Sequence, residues 1–169
     1  MTNKIYIIGG GRSGKSFLGE QLSQKTGIKH YDLDEIEFVE IGVIERDAVS
    51  KKVELDKILL SDTWIIEGAY TEEWVFPALK KTDMIIWLDT PPLTKLSRFF
   101  RKIISKGKRE MRGFYGRGKL VLGLKHKEWD RSRSCYQKLL EPFKEKTTIL
   151  KSKKDIDNFL NMEVCNPKP

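Results

Sequence analysis

Apolar residues fall in short bursts along this chain, separated by longer stretches with helical spacing. Lys4-Ile5-Tyr6-Ile7-Ile8 is brief and rich in β-branched residues. Ile28 to Asp34, Thr63 to Gly68, Asp83 to Asp89 and Thr147 to Leu150 are of similar length. In Thr63–Gly68 and Asp83–Asp89 the hydrophobicity is continuous rather than alternating, which predicts strands buried on both faces. Between the bursts, Phe17 to Lys25 reads as a helix stopped by Gly27. Asp47 to Leu60 carries Val49, Val53, Leu55, Ile58 and Leu59 at helical intervals. Further helices are predicted at Thr94–Ser105 after Pro91-Pro92, at Trp129–Lys144 and at Asp155–Met162. Strands alternating with helices imply parallel pairing through right-handed crossovers. The expected fold is therefore an α/β three-layer sandwich with a five-stranded parallel sheet, its ligands at the carboxyl ends of the strands.

Between Gly9 and Ser16 the chain reads GGGRSGKS, satisfying GxxxxGK[ST] with Gly9, Gly14, Lys15 and Ser16 at the fixed places. A strand before and a helix after supply the context that motif needs as a P-loop. Its glycines permit backbone angles that aim successive N–H groups inward, and the positive end of the helix adds to them, so the loop suits a polyphosphate. Gly9, Gly10, Gly11, Arg12, Ser13, Gly14, Lys15, Ser16 and Phe17 are the candidate phosphate-binding residues. Lys15 would reach the β- and γ-phosphates of ATP, and the Ser16 hydroxyl would face Mg²⁺.

With 169 residues, 39% of them hydrophobic, a single domain with a substantial core is expected over 1–169. A substrate-side arm is expected near 35–60 and a basic lid near 102–130. Cys135 and Cys165 are the only cysteines and neither lies in a CxxC, so a disulfide scaffold is not expected. The first strand starts almost at the first residue and no apolar run nears the length of a membrane span. A cytoplasmic, soluble monomer or homodimer without membrane contact is the expectation. Net charge is +8, unevenly spread: residues 1–94 hold 11 Lys and Arg against 16 Asp and Glu, whereas residues 95–133 hold 14 against 3. This basic block can bind nucleic acid, form a solvated face, or close over nucleotide phosphates, and the P-loop upstream favours closure.

Three predicted strands end in carboxylates. Asp32 and Asp34 flank Leu33 and would share a face of an extended segment, where they could help hold Mg²⁺, orient an acceptor hydroxyl, or simply be solvated. Glu67 is placed to hold a metal-bound water or to act as a buried structural acid. Asp89 reads as an acidic cap on the basic helix after it. Phosphoryl transfer calls for cations near the transferring group, and Arg98, Arg101, Arg131 and Arg133 are the candidates. Glycines between 106 and 123 would be the hinges of a lid. His30 and His126 lack ligand partners at suitable spacing and read as structural or surface residues. Trp64, Trp74, Trp87 and Trp129 read as core or interface anchors, although Tyr70 and Trp74 could line an acceptor pocket.

From KIYIIGGGRSGKS through HYDLDEIE, WIIEGAY and MIIWLDTPP to ILKSKKDIDNFL, the sequence resembles the adenylate kinase-like branch of P-loop kinases. More closely, it is similar to the bacterial DNA topology modulation (FlaR-related) group. The resemblance implies that Gly9 to Ser16 bind phosphate, that Glu67-Gly68 takes the place of an Asp-Gly pair organising Mg²⁺, and that Arg98 contacts ATP at the base of the lid. It places Arg131 and Arg133 in the region of further lid arginines and Lys151-Ser152-Lys153 beside the adenine, so that Lys153 joins the nucleotide site. The pattern DGxPR reads EGAYT here, which tells against a nucleoside monophosphate acceptor. Asp32 and Asp34 resemble the DxD segment of shikimate kinase-like enzymes, which phosphorylate small hydroxylated metabolites.

These residues lead to an expected ATP- and Mg²⁺-dependent phosphoryl transfer to a small acceptor, either a nucleotide or a hydroxylated metabolite. In it Lys15, Arg98, Asp34, Arg131 and Arg133 are catalytic and Ser16, Glu67 and Asp32 attend the metal. Two alternatives stand beside it: a nucleotide-gated protein binding DNA through residues 95–133, and an NTPase with no acceptor.

Overall fold

Strand β1 (Lys4–Ile8) lies at the centre of the molecule, and its side chains alternate between two apolar layers. Ile5 and Ile7 face one, Tyr6 and Ile8 the other, and all four are buried. A strand wanted on both faces must be apolar throughout, which is why the sequence shows an unbroken run. The computed structural model describes residues 2–40, 44–91, 94 and 126–165. The predicted helix at Thr94–Ser105, Arg98, Arg101 and nearly all of the expected lid lie outside the described residues.

Helix α1 (Lys15–Thr26) follows the P-loop and ends where Gly27 turns left-handed, at φ 73°. Next come β2 (His30–Asp32), the short α2 (Leu33–Glu37), the strands β3 (Phe38–Glu40) and β4 (Ile44–Glu45), and α3 (Ala48–Leu59). Strand β5 (Trp64–Gly68), a 3₁₀ turn with α4 (Phe76–Lys81), and β6 (Met84–Leu88) complete the first part. After residue 125 come α5 (His126–Leu140), a 3₁₀ segment at Glu141–Lys146, β7 (Thr147–Leu150) and α6 (Lys153–Cys165).

The sheet runs in the order β2-β5-β1-β6-β7 and every pairing in it is parallel. Leu18 and Leu22 of α1 pack with Ile156 and Leu160 of α6 on one face. On the other, α2, α3, α4 and α5 contribute Leu33, Ile36, Leu55, Leu59, Ala78, Leu79, Tyr136 and Leu140 around Trp64 and Trp87. The expected three-layer sandwich with its five parallel strands is thus observed. The antiparallel β3–β4 pair was not foreseen, because each strand is too short to leave a period in the sequence. No helix among the described residues is long and apolar enough to cross a membrane.

One expectation is corrected. Asp32 and Asp34 do not share the face of a strand, because β2 stops at Asp32 and Asp34 already belongs to α2. Asp32 caps that helix, its Oδ1 accepting from the Asp34 N–H at 2.9 Å, and an Asx cap of this kind ends an extended run locally.

Candidate active site

The phosphate loop is shaped by two residues in the left-handed region. Arg12 has φ 62° and Gly14 φ 102°. Glycine adopts that conformation freely, whereas arginine rarely does, so the loop around Arg12 has to be held from outside. The Ser13 N–H donates to the Gly10 carbonyl at 3.2 Å, closing a turn, and the Thr90 hydroxyl donates to the Ser13 carbonyl at 3.1 Å in the interior. Gly9 is required by space: a Cβ there would stand 2.8 Å from the Leu88 carbonyl oxygen and 2.9 Å from Ser13 Oγ.

Behind the loop, α1 begins at Gly14 with no side-chain cap and no acid in its first turn. Its first N–H groups therefore face outward with the positive end of the helix, which is the arrangement that attracts anions. The Lys15 ammonium bends back to within 3.5 Å of the Gly10 carbonyl. Burial pushes its pKa below the ordinary lysine value, while Glu67, Asp34 and Asp32 counteract that push. Ser16 and Phe17 are exposed at the start of the helix.

Across from Lys15, β2 and β5 end side by side, with Asp32 opposite Glu67 in register. Glu67 is 2% exposed, and its Oε1 lies 3.5 Å from His30 Nε2, too far for a good hydrogen bond; both atoms are buried without a hydrogen-bond partner. An orphaned carboxylate oxygen is costly to bury unless something else satisfies it. Burial raises the Asp32 carboxyl above its usual range, and the charges of Glu67 and Asp34 add to the effect; the Asp34 N–H and Lys15 oppose it. Among the described residues no three His, Cys, Asp or Glu side chains converge as a metal cage. Mg²⁺ in phosphoryl-transfer sites is ordinarily held by one or two side chains together with substrate phosphates and water, and Ser16, Glu67 and Asp32 fit that donor set.

The acceptor side is built from side chains. Tyr70 donates its hydroxyl to Asp34 Oδ1 at 2.7 Å, and its ring packs against Trp74 with centroids 5.3 Å apart and planes at 54°. Lys51, buried on α3, reaches Glu37 at 2.8 Å and Glu45 at 2.6 Å, clamping α3 to α2 and to β4. Arg46 Nη1 donates to the carbonyls of Glu35 and Ile36 at 2.9 and 3.2 Å. These contacts give the expected arm its internal frame.

Helix α5 closes the edge of the cleft. Arg133 holds Asp89 through Nε at 3.0 Å and Nη2 at 2.9 Å. The Asp89 carboxylate, 7% exposed, is thereby paired with a cation of α5, while the segment it was expected to cap lies outside the described residues. Tyr136, one turn along, donates to the Ala69 carbonyl at 2.9 Å and packs against Trp87. Arg131 belongs to the same helix. Lys153 opens α6, beyond the carboxyl end of β7, and is exposed, 3.5 Å from Asp157.

Of the residues expected in the site, Lys15, Asp32, Asp34 and Glu67 lie near enough for the three acids to act on the lysine's charge. Sequence reasoning missed the Thr90 tie, the Lys51 clamp and the Tyr136 anchor. For Lys51 a signal existed, since it is a lysine one helical turn from both Asp47 and Leu55 on the inward stripe of α3; Thr90 and Tyr136 left none.

No protein-family model matches the chain. The shikimate kinase of Persephonella marina is 26% identical over 136 residues, covering 69% of this chain and 82% of that protein. Among solved structures, the shikimate kinase from Acinetobacter baumannii in complex with shikimate superposes with a TM-score of 0.57 at 17% identity, over 100% of this chain and 97% of the other. A gluconokinase from Sinorhizobium meliloti gives 0.58 at 11% identity over 97% and 90%. The deoxyadenosine kinase from M. mycoides with bound dCTP gives 0.53 at 15% identity over 96% and 100%. The chain has the fold of the P-loop kinases. Within that kinase fold the cleft described above lies at the carboxyl ends of β1, β2, β5 and β6, where open parallel sheets bind their ligands.

Proposed function

We propose that this protein is a kinase that transfers the γ-phosphoryl group of ATP, with Mg²⁺, to a small acceptor, either a nucleotide or a hydroxylated metabolite. The observation that carries the reading is the uncapped start of α1 behind a left-handed Gly14, with Lys15 turned into the loop and the buried Glu67 carboxylate close enough to act on its charge. The relatedness to a shikimate kinase and the likeness to sugar and nucleoside kinases support it.

In this reading the loop N–H groups bind the β- and γ-phosphates and Lys15 neutralises charge on the transferring oxygens. Ser16 and Glu67, with Asp32 beside them, hold the metal. Mg²⁺, when bound, would supply positive charge to offset the charge that develops during transfer. Asp34 binds the acceptor hydroxyl, and Arg98, Arg131 and Arg133 supply positive charge from the lid side. Lys153 approaches the adenine. Within the kinases, the motifs HYDLDEIE and WIIEGAY support a place in the FlaR-related group.

The test is product analysis on the purified chain with Mg-ATP and a panel of acceptors. Acceptor-dependent formation of ADP and a phosphorylated product is expected. Phosphate release that ignores the acceptor would identify an NTPase, and no Mg-ATP affinity at millimolar ligand would overturn both.

A further inference from the structure

Among the described residues of the arm, the inward cations are already committed. Arg46 and Lys51 are the two arm cations that are not solvent-exposed, and they are bound to the Glu35 and Ile36 carbonyls and to Glu37 and Glu45. Lys52 and Lys57 are exposed, and Lys57 pairs with Glu54 at 2.7 Å. Asp32, Asp34 and Glu35 lie on one short stretch of chain before them, and Glu37 beside these is the acid that Lys51 neutralises. An acceptor bearing a carboxylate or phosphate needs a cation or a cluster of donors to replace its water, and beyond Lys15 the described residues at this end of the cleft offer it mainly like charge.

Tyr70 adds an independent observation. Its phenol sits on Asp34 Oδ1 at 2.7 Å, and its ring with that of Trp74 forms an aromatic wall beside that carboxylate. Burial, then the bond to Asp34, pushes the Tyr70 pKa far above the ordinary tyrosine value, so the hydroxyl remains a donor at every working pH. A hydroxyl donating to a carboxylate beside an aromatic face is the same chemistry that a ring alcohol would present.

Resting on the kinase reading above, we propose that the acceptor is an uncharged hydroxylated molecule with a planar or apolar ring face, and that Tyr70 selects it. Tyr70 fixes Asp34 through one carboxylate oxygen and leaves the other to accept from the acceptor hydroxyl. The aromatic pair covers the ring. An acceptor anion is rejected by the neighbouring acids.

The experiment uses the full chain with Mg-ATP and acceptors paired by a single feature: deoxyadenosine against its 5′-monophosphate, glucose against gluconate, and methyl shikimate against shikimate. The neutral member of each active pair is expected to lead by about 10-fold or more in kcat/KM. Tyr70→Phe is expected to raise the KM for the neutral acceptor several-fold and to leave the KM for ATP unchanged. Tyr70→Arg, checked for folding by circular dichroism, is expected to move the preference toward the anionic member. A lead for anionic acceptors overturns the inference while the kinase reading stands. So does an unchanged acceptor KM in Tyr70→Phe, or the absence of turnover with every neutral acceptor in a chain that binds Mg-ATP. A chain that binds no Mg-ATP overturns the kinase reading itself.

Discussion

On the phosphate side of the cleft the binding groups belong to the main chain, set by Gly9, Arg12 and Gly14 and buttressed by Thr90. On the proposed acceptor side they are side chains from β2, α2 and the turn after β5, held by Tyr70, Lys51 and Arg46. The first half depends on backbone angles and close approach, so it tolerates few residues and gives one outcome, an anion site. The second depends on which side chains meet, so small changes alter what it accepts without disturbing the fold. One scaffold can thus keep its phosphate donor while its acceptor varies, as the shikimate, gluconate and deoxyadenosine kinases of the same fold suggest.

The strongest way to break this contrast is Lys15→Met. It removes a charged side chain turned into the main-chain loop, and turnover should fall on the order of 10²- to 10³-fold, with the melting curve little changed. A Lys15→Met enzyme with ordinary turnover would show that the loop does no chemistry. Next is Arg133→Met, which leaves Asp89 buried without its cation and should cost about 1–3 kcal/mol in denaturant unfolding. Gly9→Ala should cost a similar amount, about 1–3 kcal/mol, since its Cβ meets main chain that can yield only by shifting. It should also weaken Mg-ATP binding measured by calorimetry, and Arg133→Met should weaken that binding less, because it reaches the loop only through Asp89 and Thr90.

The mildest test compares one helix cap from each half. On the arm, the Ser50 hydroxyl, followed by main-chain N–H groups, holds the Asp47 carboxyl below the usual range. On the other side of the sheet, the Lys151 N–H followed by the Ser152 hydroxyl does the same for Asp155. For each, the folded pKa lies below the unfolded one, so its stabilisation is complete above the unfolded carboxylate value and is lost as pH falls through the folded value. Asp47→Asn and Asp155→Asn should each flatten the fall of melting temperature between neutral and strongly acidic pH. An acid slope identical to the parent's would rule out these caps as its source.

The same contrast explains how far the sequence could be read. The motif from Gly9 to Ser16 is contiguous, because a main-chain site is built by neighbours, and the apolar runs announced all five sheet strands for the same local reason. Tyr70 and Asp34 are 36 positions apart, and Arg133 and Asp89 are 44 apart. Such contacts exist only once β2, β5, β1 and β6 are assembled in one sheet, so no spacing in the chain records them. Asp34 shows the cost: as a residue in a row it belonged with Asp32, yet a single Asx cap ended the strand between them.

Asp89 and Thr90 are consecutive, and their side chains grip different things, Arg133 of α5 on one hand and the carbonyl of Ser13 on the other. Two peptide units therefore serve as a mechanical splice between the nucleotide loop and a helix at the rim. Cys135, exposed on α5 between Arg133 and Tyr136, sits at the far end of that splice. A fluorophore attached there, with Cys165 replaced by serine, tests whether filling the loop is felt at the rim: a change of emission on adding Mg-ATP is the expected result.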